Sequence, residues 1–180
     1  MGMLELELPG AEWFNDETQE FQYTNPASLR LEHSLVSISK WESNWKKPFL
    51  SNEDKTVEET IDYVRCMTVN QNVNPEVYNR LGNREIEKIN QYIQEDRTAT
   101  TFSTNEKASR RVVTSELIYF WMAQYNIPME CQKWHFSRLM TLLRIASIEN
   151  APKKKMSRRA VMNQNRSLNA ARRKAMKTKG

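Results

Sequence analysis

The chain has 180 residues, enough for one ordinary domain, and 39% of them are hydrophobic, which allows a packed core. Four glycines and two cysteines exclude a glycine-rich repeat array and a disulfide-rich scaffold. The net charge of +5 is uneven: residues 151–180 carry eleven basic and no acidic side chains, so residues 1–150 carry a net charge of −6. We therefore expect one domain over residues 1–150 and a basic tail over residues 151–180.

The N-terminal segment predicts two short strands. Leucines alternate with acidic residues over Leu4–Leu8, and a second alternation runs over Leu29–His33. We interpret His33 as a strand side chain at a boundary, because no cysteine or carboxylate cluster that would make it a metal ligand lies near it. The aromatic residues of segment 13–23 have no clean period, so no element is predicted there.

The spacing then changes to that of helices. Apolar residues recur at steps of three and four over Ser34–Lys46, which predicts a helix. A second helix is predicted over Asp54–Met67, where Thr56 and Glu59 form a T-x-x-E capping pattern. Its buried stripe should begin at Val57.

Two further helices continue this pattern. A short helix is predicted between Asn74-Pro75 and Gly82, and Asn83 caps the next one, with Ile86, Ile89 and Ile93 facing inward. Such a run of short capped helices with brief turns is typical of a compact helical domain.

The last part of the domain predicts a hairpin and two helices. Thr98–Phe102 and Arg111–Thr114 are rich in β-branched residues around a polar loop. Glu116–Tyr125 is apolar almost all round, so it should be the most buried helix. Met129–Ile148 should be one amphipathic helix at the centre of the core. The predicted fold class is mainly α with a small β component (α+β): a compact helical domain with short N-terminal strands, a β-hairpin and a basic C-terminal arm.

Several large apolar residues could serve either the core or a partner. Core packing is the simpler interpretation for the two tryptophans of the first helix, and an aromatic recognition surface is the alternative. The apolar stripe of Met129–Ile148 is wider than one flank of a small core needs, so it could bind a partner. The candidate partner-binding residues are Trp41, Trp45, Trp134, Phe136, Met140 and Leu143.

No catalytic or cofactor motif is evident in the sequence. It has no glycine-rich phosphate loop, no C-x-x-C pair, no H-x-x-x-H and no G-x-S-x-G. Cys131 and His135 are four residues apart and could be imagined as a thiolate–imidazole pair, but no third orienting group is apparent. The acidic cluster of Asp54, Glu58, Glu59 and Asp62 fits a solvated helix face better than a metal site. We expect no enzyme activity, no cofactor and no metal.

The two cysteines and the hydropathy suggest a compartment. Cys66 and Cys131 lie in apolar helical patterns, as core residues of a reduced, cytosolic protein do. No run approaches the ~20 apolar residues that span a bilayer. Met1–Leu8 has neither a basic start nor an apolar central region, so we expect no secretory signal and no membrane partner.

The basic tail is the strongest compositional signal. Its charges would attract nucleic acid, but no aromatic residue interleaves them to stack on bases. A protein with an acidic surface, including this chain's own domain, is the other possible partner. We expect the tail to be extended or a projecting helix that is ordered by a partner. The basic arm includes Lys153, Lys154, Lys155, Arg158, Arg159, Arg166, Arg172, Arg173 and Lys174.

Three segments carry a resemblance to a known family. WESNWKKPFL, ECQKWH and the KKKMSRR-x7-RSLNAARR tail resemble the tail assembly chaperones of tailed bacteriophages, and the likeness covers most of residues 29–175. The resemblance implies a non-enzymatic late protein that binds the tape measure protein in the host cytoplasm and keeps it soluble. The chaperone would leave as tail tube subunits polymerise, and would be absent from the finished virion. It carries over no catalytic residue.

The resemblance leaves alternatives open. The protein could instead be a structural virion or connector protein that self-associates, or a nucleic-acid-binding accessory protein that uses the tail. Many members of this family are made in two lengths by ribosomal frameshifting. The adenine-rich codons of Lys153–Lys155 would suit such a slippery stretch, although an ordinary basic arm explains them equally well.

Overall fold

A computed structural model describes residues 2–16, 19–51, 53–102, 112–151 and 157–177. The chain divides into two compact units, Met1–Ser147 and Ile148–Gly180. The first unit combines helices with short antiparallel strands, and the second contains one long helix. The predicted α+β class, mainly helical, is confirmed.

Four strands open the first unit. β1 (Leu4–Leu8) pairs antiparallel with β4 (Ala27–Leu31), and β2 (Ala11–Asn15) pairs antiparallel with β3 (Glu20–Thr24). Every second residue of β1 and β4 faces the core, with Leu6, Leu8, Leu29 and Leu31 buried, so these two strands were predicted from their alternation. β2 and β3 were missed because Phe14, Phe21 and Tyr23 are exposed, so these side chains do not show the alternation that marks a half-buried strand.

The next two helices follow the predicted spacing. α1 (Leu35–Trp45) ends at Lys46, whose backbone is left-handed with φ 55°. α2 (Val57–Met67) begins with the predicted reciprocal cap: Glu59 N–H donates to Thr56 Oγ1, and Thr56 N–H donates to a Glu59 carboxylate oxygen. The predicted inward position of Val57 is wrong, since 76% of its surface is exposed. The buried face of α2 instead begins at Glu59.

The middle of the unit follows the prediction except at the caps. A 3-10 helix covers Pro75–Arg80, and α3 covers Asn83–Gln94. Ile89 is buried, while Ile86 and Ile93 are half-buried on the same side. The inward side of the three isoleucines was therefore readable from the 3.6-residue period.

Gly82, and not the predicted Asn83, is the N-cap of α3, because the Gly82 N–H donates to the Glu85 carboxylate and the helix begins one residue earlier. The short helix before it has its C-cap at Leu81, one residue before the predicted Gly82.

The predicted hairpin after α3 is not found in the described residues. Residues 98–102 and 112–114 contain no strand, and residues 103–111, which include the predicted loop, lie outside the described part of the chain. β-branched composition favours a pleated, half-buried environment, and 98–101 are largely exposed.

α4 (Ser115–Gln124) is not the most buried helix, contrary to the prediction. Only Ser115, Ile118 and Met122 are buried, and 62% of Phe120 is exposed. The start of the helix is capped from a distance, because Ser115 N–H donates to a Glu42 carboxylate oxygen at 2.8 Å. Glu42 also accepts from Phe49 N–H at 2.8 Å, so one buried carboxylate joins α1 to two other segments.

The single helix predicted over Met129–Ile148 is wrong in one place. A 3-10 helix covers Met129–Lys133, and α5 covers Phe136–Glu149. Trp134 is extended between them, with φ −72° and ψ 158°. Phe136 N–H donates to the backbone carbonyl of His33 at 2.9 Å, so a distant strand end takes the hydrogen bond that a continuous helix would make internally.

Two apolar clusters form the core of the first unit. One joins β1 and β4 to α1, α2 and α3, with Leu29, Leu31 and Ile38 fully buried. The other joins the start of α1 to α4 and α5. Phe136 packs against both clusters.

The second unit contains α6 (Arg158–Met176), with the Ser157 hydroxyl accepting from Ala160 N–H at its start. The basic tail was expected to be extended or a projecting helix, and residues 158–176 are helical. None of these nineteen residues is buried.

Candidate functional site

The most unusual interior feature of the first unit is a cluster of buried rings with polar atoms. The His33 Nδ1 atom lies 2.5 Å from the Tyr63 hydroxyl, and the His33 backbone N–H donates to the Tyr92 hydroxyl at 3.2 Å. The His33 and His135 rings meet edge to face with centroids 5.2 Å apart. His135 Nε2 donates to the Tyr92 carbonyl at 3.1 Å. The end of β4, α2, α3 and the break before α5 thus meet around these four residues.

The electrostatics of this cluster favour neutral rings. Burial, with a further contribution from His135, lowers the pKa of His33 to about 3. Burial also lowers the pKa of His135 and raises the pKa of the Tyr63 hydroxyl. General acid–base chemistry near neutral pH needs a pKa close to the working pH, which His33 does not have. The arrangement instead suits a structural hydrogen-bonded junction.

A small cavity of about 80 Å³ lies beside His135. Trp134, Arg138 and Arg97 form part of its wall, together with Glu32. The Arg138 guanidinium stacks on the Trp134 ring at 4.1 Å, and the Arg97 side chain is paired with Glu95 at 2.7 Å. Ligand pockets are usually about 300–1,000 Å³, so this cavity is too small for a substrate of ordinary size.

The sequence pair Cys131 and His135 does not form a nucleophile–base pair. The Nε2 atom of His135 is bonded to the Tyr92 carbonyl, and its Nδ1 atom lies 2.8 Å from the Ser137 hydroxyl. Burial raises the pKa of the Cys131 thiol, which is the opposite of activation. Both Cys131 and Cys66 are free thiols, and the pKa of Cys66 is raised to about 11, mainly by burial.

The acidic cluster of α2 is partly structural. Glu59 is buried, pairs with Lys47 at 2.6 Å and has a lowered pKa because of that hydrogen bond. Asp62 accepts hydrogen bonds from the Trp45 indole and the Asn44 amide. Glu59 is therefore not part of the solvated face that was expected. Within the described ranges, no group of three or more histidine, cysteine or acidic residues could hold a metal ion.

Two of the predicted partner-binding residues are core residues. Trp41 is 2% exposed and donates its indole N–H to the Glu59 carbonyl at 2.8 Å, and Leu143 is 4% exposed. Neither can meet a partner without unfolding, so these two assignments are wrong. Trp45 is half-buried and stacks on Trp41 with centroids 6.2 Å apart. For the tryptophans of α1, core packing is thus the correct interpretation.

The remaining predicted residues lie at the edge of the second cluster. Trp134, Phe136 and Met140 are half-buried and pack against it, leaving part of each side chain accessible. Phe136 also contacts the His33 ring, with centroids 5.6 Å apart. The structure brings these three residues to one region around the start of α5, where they remain candidates.

The basic arm is only partly described. Lys153, Lys154 and Lys155 lie outside the described residues. The other predicted arm residues lie on α6 and are all exposed: Arg158, Arg159, Arg166, Arg172, Arg173 and Lys174. Val161 and Leu168, seven residues apart, form an exposed apolar strip along this cationic helix.

One surface was missed by sequence analysis. The distal hairpin, which we define as β2, β3 and the residues between them (11–24), exposes Phe14, Phe21 and Tyr23. Phe14 pairs directly with Phe21, and their rings lie 5.1 Å apart. All four charged residues of segment 11–24 are acidic. The high content of aromatic and acidic residues was the available signal, but the segment lacks the period that marks a buried strand.

Comparisons with known proteins give no further assignment. No protein-family model, curated protein or solved structure matches this chain. Among the helices of the described ranges, none is both long enough and apolar enough to cross a bilayer.

Proposed function

We propose that this protein is a non-enzymatic tail assembly chaperone of a tailed bacteriophage, which binds the tape measure protein in the host cytoplasm during tail morphogenesis. The observation that carries the proposal is α6, a nineteen-residue cationic helix with no buried residue. A helix of that composition is marginal alone in water, so a partner that covers it would stabilise it. The tail motif of the family resemblance lies on and before this helix.

The first unit would supply a second contact. Trp134, Phe136 and Met140 leave apolar surface accessible at the start of α5, and a long helical partner could place its apolar face there. Binding through two separate surfaces raises the effective concentration at the second one. A chaperone that must later release its cargo to tail tube subunits is better served by two weak contacts than by one strong contact.

Co-expression with the tape measure protein of the same genome tests the proposal. We expect the full chain to keep the tape measure protein soluble and to co-purify with it. Removal of residues 151–180 should weaken binding of the tape measure protein. The double change Val161→Ser with Leu168→Ser should also weaken it, because it removes the apolar strip of α6 and keeps every charge. Arg84→Gln with Lys88→Gln, on the exposed face of α3, is the matched control and should leave capture intact. Failure of the full chain to bind or solubilise the tape measure protein would contradict the proposal.

Mass spectrometry of purified virions separates the chaperone from a structural role. A chaperone that leaves during assembly should be absent or strongly substoichiometric in finished particles. A fixed stoichiometric presence in purified tails would instead indicate the structural virion or connector protein.

A nucleic-acid-binding accessory protein is the second candidate, favoured by the six exposed basic residues and no acidic residue on α6. Such binding would fall steeply as salt is raised, because each neutralised phosphate releases counterions. Electrophoretic mobility of duplex and single-stranded DNA at rising salt concentration tests it. DNA binding that survives removal of residues 151–180 would exclude the arm as the binding element.

A further inference from the structure

The distal hairpin has little to stabilise it within the first unit. It is a two-stranded sheet, and in the described part of the chain neither core cluster contains one of its residues. An isolated hairpin of this kind is marginal in water. Large exposed apolar side chains with two open strand edges are typical of a surface that another element covers.

One face of the hairpin is both aromatic and acidic. Directly opposed residues of an antiparallel pair point to the same face, so the pairs Phe14–Phe21 and Glu12–Tyr23 place these four side chains together. Phe14, Phe21 and Tyr23 are exposed, and Glu12 is exposed beside them. Asp16, two residues beyond Phe14, is also exposed, whereas Glu20 opposes Asn15 and points to the other face. This face suits an apolar strip bordered by positive charge.

α6 has the complementary chemistry. Val161, Leu168 and Ala175 recur every seven residues and therefore lie along one side of the helix. Arg158 and Arg172 flank that strip at helical spacing, and α6 carries six basic and no acidic residues. Arginine beside an exposed aromatic ring adds a cation–π contribution to the charge attraction.

We propose that α6 of one molecule binds the distal hairpin of a second copy of this chain. The two surfaces are different parts of the chain, so the contact is heterologous and can be repeated from copy to copy into a ring or an open series. This self-association goes beyond the proposed chaperone function, because it requires the chain alone.

Charge-reversal variants and their mixture test the proposal by sedimentation velocity. The unchanged protein should associate in low salt, increasingly with concentration, and dissociate in high salt because the contact is ionic. Glu12→Lys with Asp16→Lys should abolish association, and so should Arg158→Glu with Arg172→Glu. An equimolar mixture of the two variants should associate again, since each reversed surface then meets its complement. The control Asp54→Lys with Glu87→Lys, matched to the hairpin variant, raises the net charge by the same amount at exposed positions elsewhere and should associate like the unchanged protein.

The outcomes separate the possibilities clearly. Circular dichroism first establishes that each variant is folded, and recovery in the mixture cannot come from a misfolded chain. A protein that stays monomeric at every concentration in low salt overturns the proposal. Association that both reversals leave unchanged assigns the contact to another surface and also overturns it. Since no tape measure protein is present, these results stand apart from the test of the chaperone function.

Discussion

Helices α1 and α6 have the same kind of secondary structure and opposite relations to their surroundings. α1 has eleven residues and buries five of them, whereas α6 has nineteen and buries none. α1 is held by its indole–carbonyl bond from Trp41 to Glu59, by ring stacking and by the core. This contrast shows that helical periodicity in a sequence does not reveal whether the helix is stabilised by packing within its own molecule or by binding to another molecule.

The largest expected effect comes from α1. Trp41→Ala removes a fully packed indole and leaves the Glu59 carbonyl without its donor. We expect a loss of about 3–5 kcal/mol in the free energy of unfolding. Urea unfolding followed by circular dichroism measures it. A loss below about 1 kcal/mol would mean that Trp41 is not a core residue.

The second-largest effect is expected from acid, which should lower the stability of the first unit through His33. The folded pKa of His33, about 3, lies below its unfolded value of 6.5, so the unfolded chain binds more protons between these values. Stability is therefore complete above about pH 6.5 and declines as pH falls towards 3, by roughly 2–3 kcal/mol at about pH 4.5. The lowered pKa of His135 acts in the same direction.

Urea unfolding at several pH values checks this dependence. His33→Gln should make the free energy of unfolding depend less on pH between about pH 6.5 and about pH 4.5, whatever its effect on stability at neutral pH. The pKa of Glu59 is lowered from its ordinary value of 4.5 by the hydrogen bond to Lys47, so its contribution to stability is lost only below about pH 4.5. An unchanged slope in His33→Gln would show that His33 is not buried as a neutral ring.

A smaller loss is expected from Glu42. Its two carboxylate oxygens accept from Phe49 N–H and Ser115 N–H, and Glu42→Gln keeps one good acceptor and loses the other. We expect about 1–2 kcal/mol less stability, because one backbone donor becomes unsatisfied. Glu116→Gln, on the exposed face of α4, is the control and should change stability by less than about 0.5 kcal/mol. Equal effects of the two variants would rule out the long-range cap.

The smallest effect belongs to α6. Leu168→Ala removes an exposed side chain, and alanine retains high helix propensity. The free energy of unfolding of the first unit should change by less than about 0.5 kcal/mol. A loss approaching that of Trp41→Ala would remove the contrast between the two helices.

The sequence predicted elements whose cause is local. The alternation of β1 and β4, the helical period of α1 and α3, and the Thr56–Glu59 cap all depend on residues close together in the chain. The features that the sequence could not predict depend on hydrogen bonds to residues far away in the chain. The break before α5 needs the His33 carbonyl, about a hundred residues earlier, and the cap of α4 needs Glu42.

The candidate surfaces divide in the same way. The spacing of apolar residues placed Trp41 on one face of a helix but did not reveal whether that face points into the core. The burial of Trp41 in the structure shows that it does. Arg158 to Lys174 were recognisable from composition because charge needs no tertiary context to be counted. The distal hairpin had no such marker, since Phe14, Phe21 and Tyr23 belong to neither core cluster.

The position of Phe136 has a consequence for how the first unit melts. Its ring packs against both apolar clusters, and its backbone N–H is tied to the His33 carbonyl. Neither cluster can open without exposing a side chain that the other cluster also covers, so the two are coupled. Heating should therefore produce a single calorimetric peak whose van't Hoff and measured enthalpies agree. Removal of the Phe136 ring is the change that would split this peak into two.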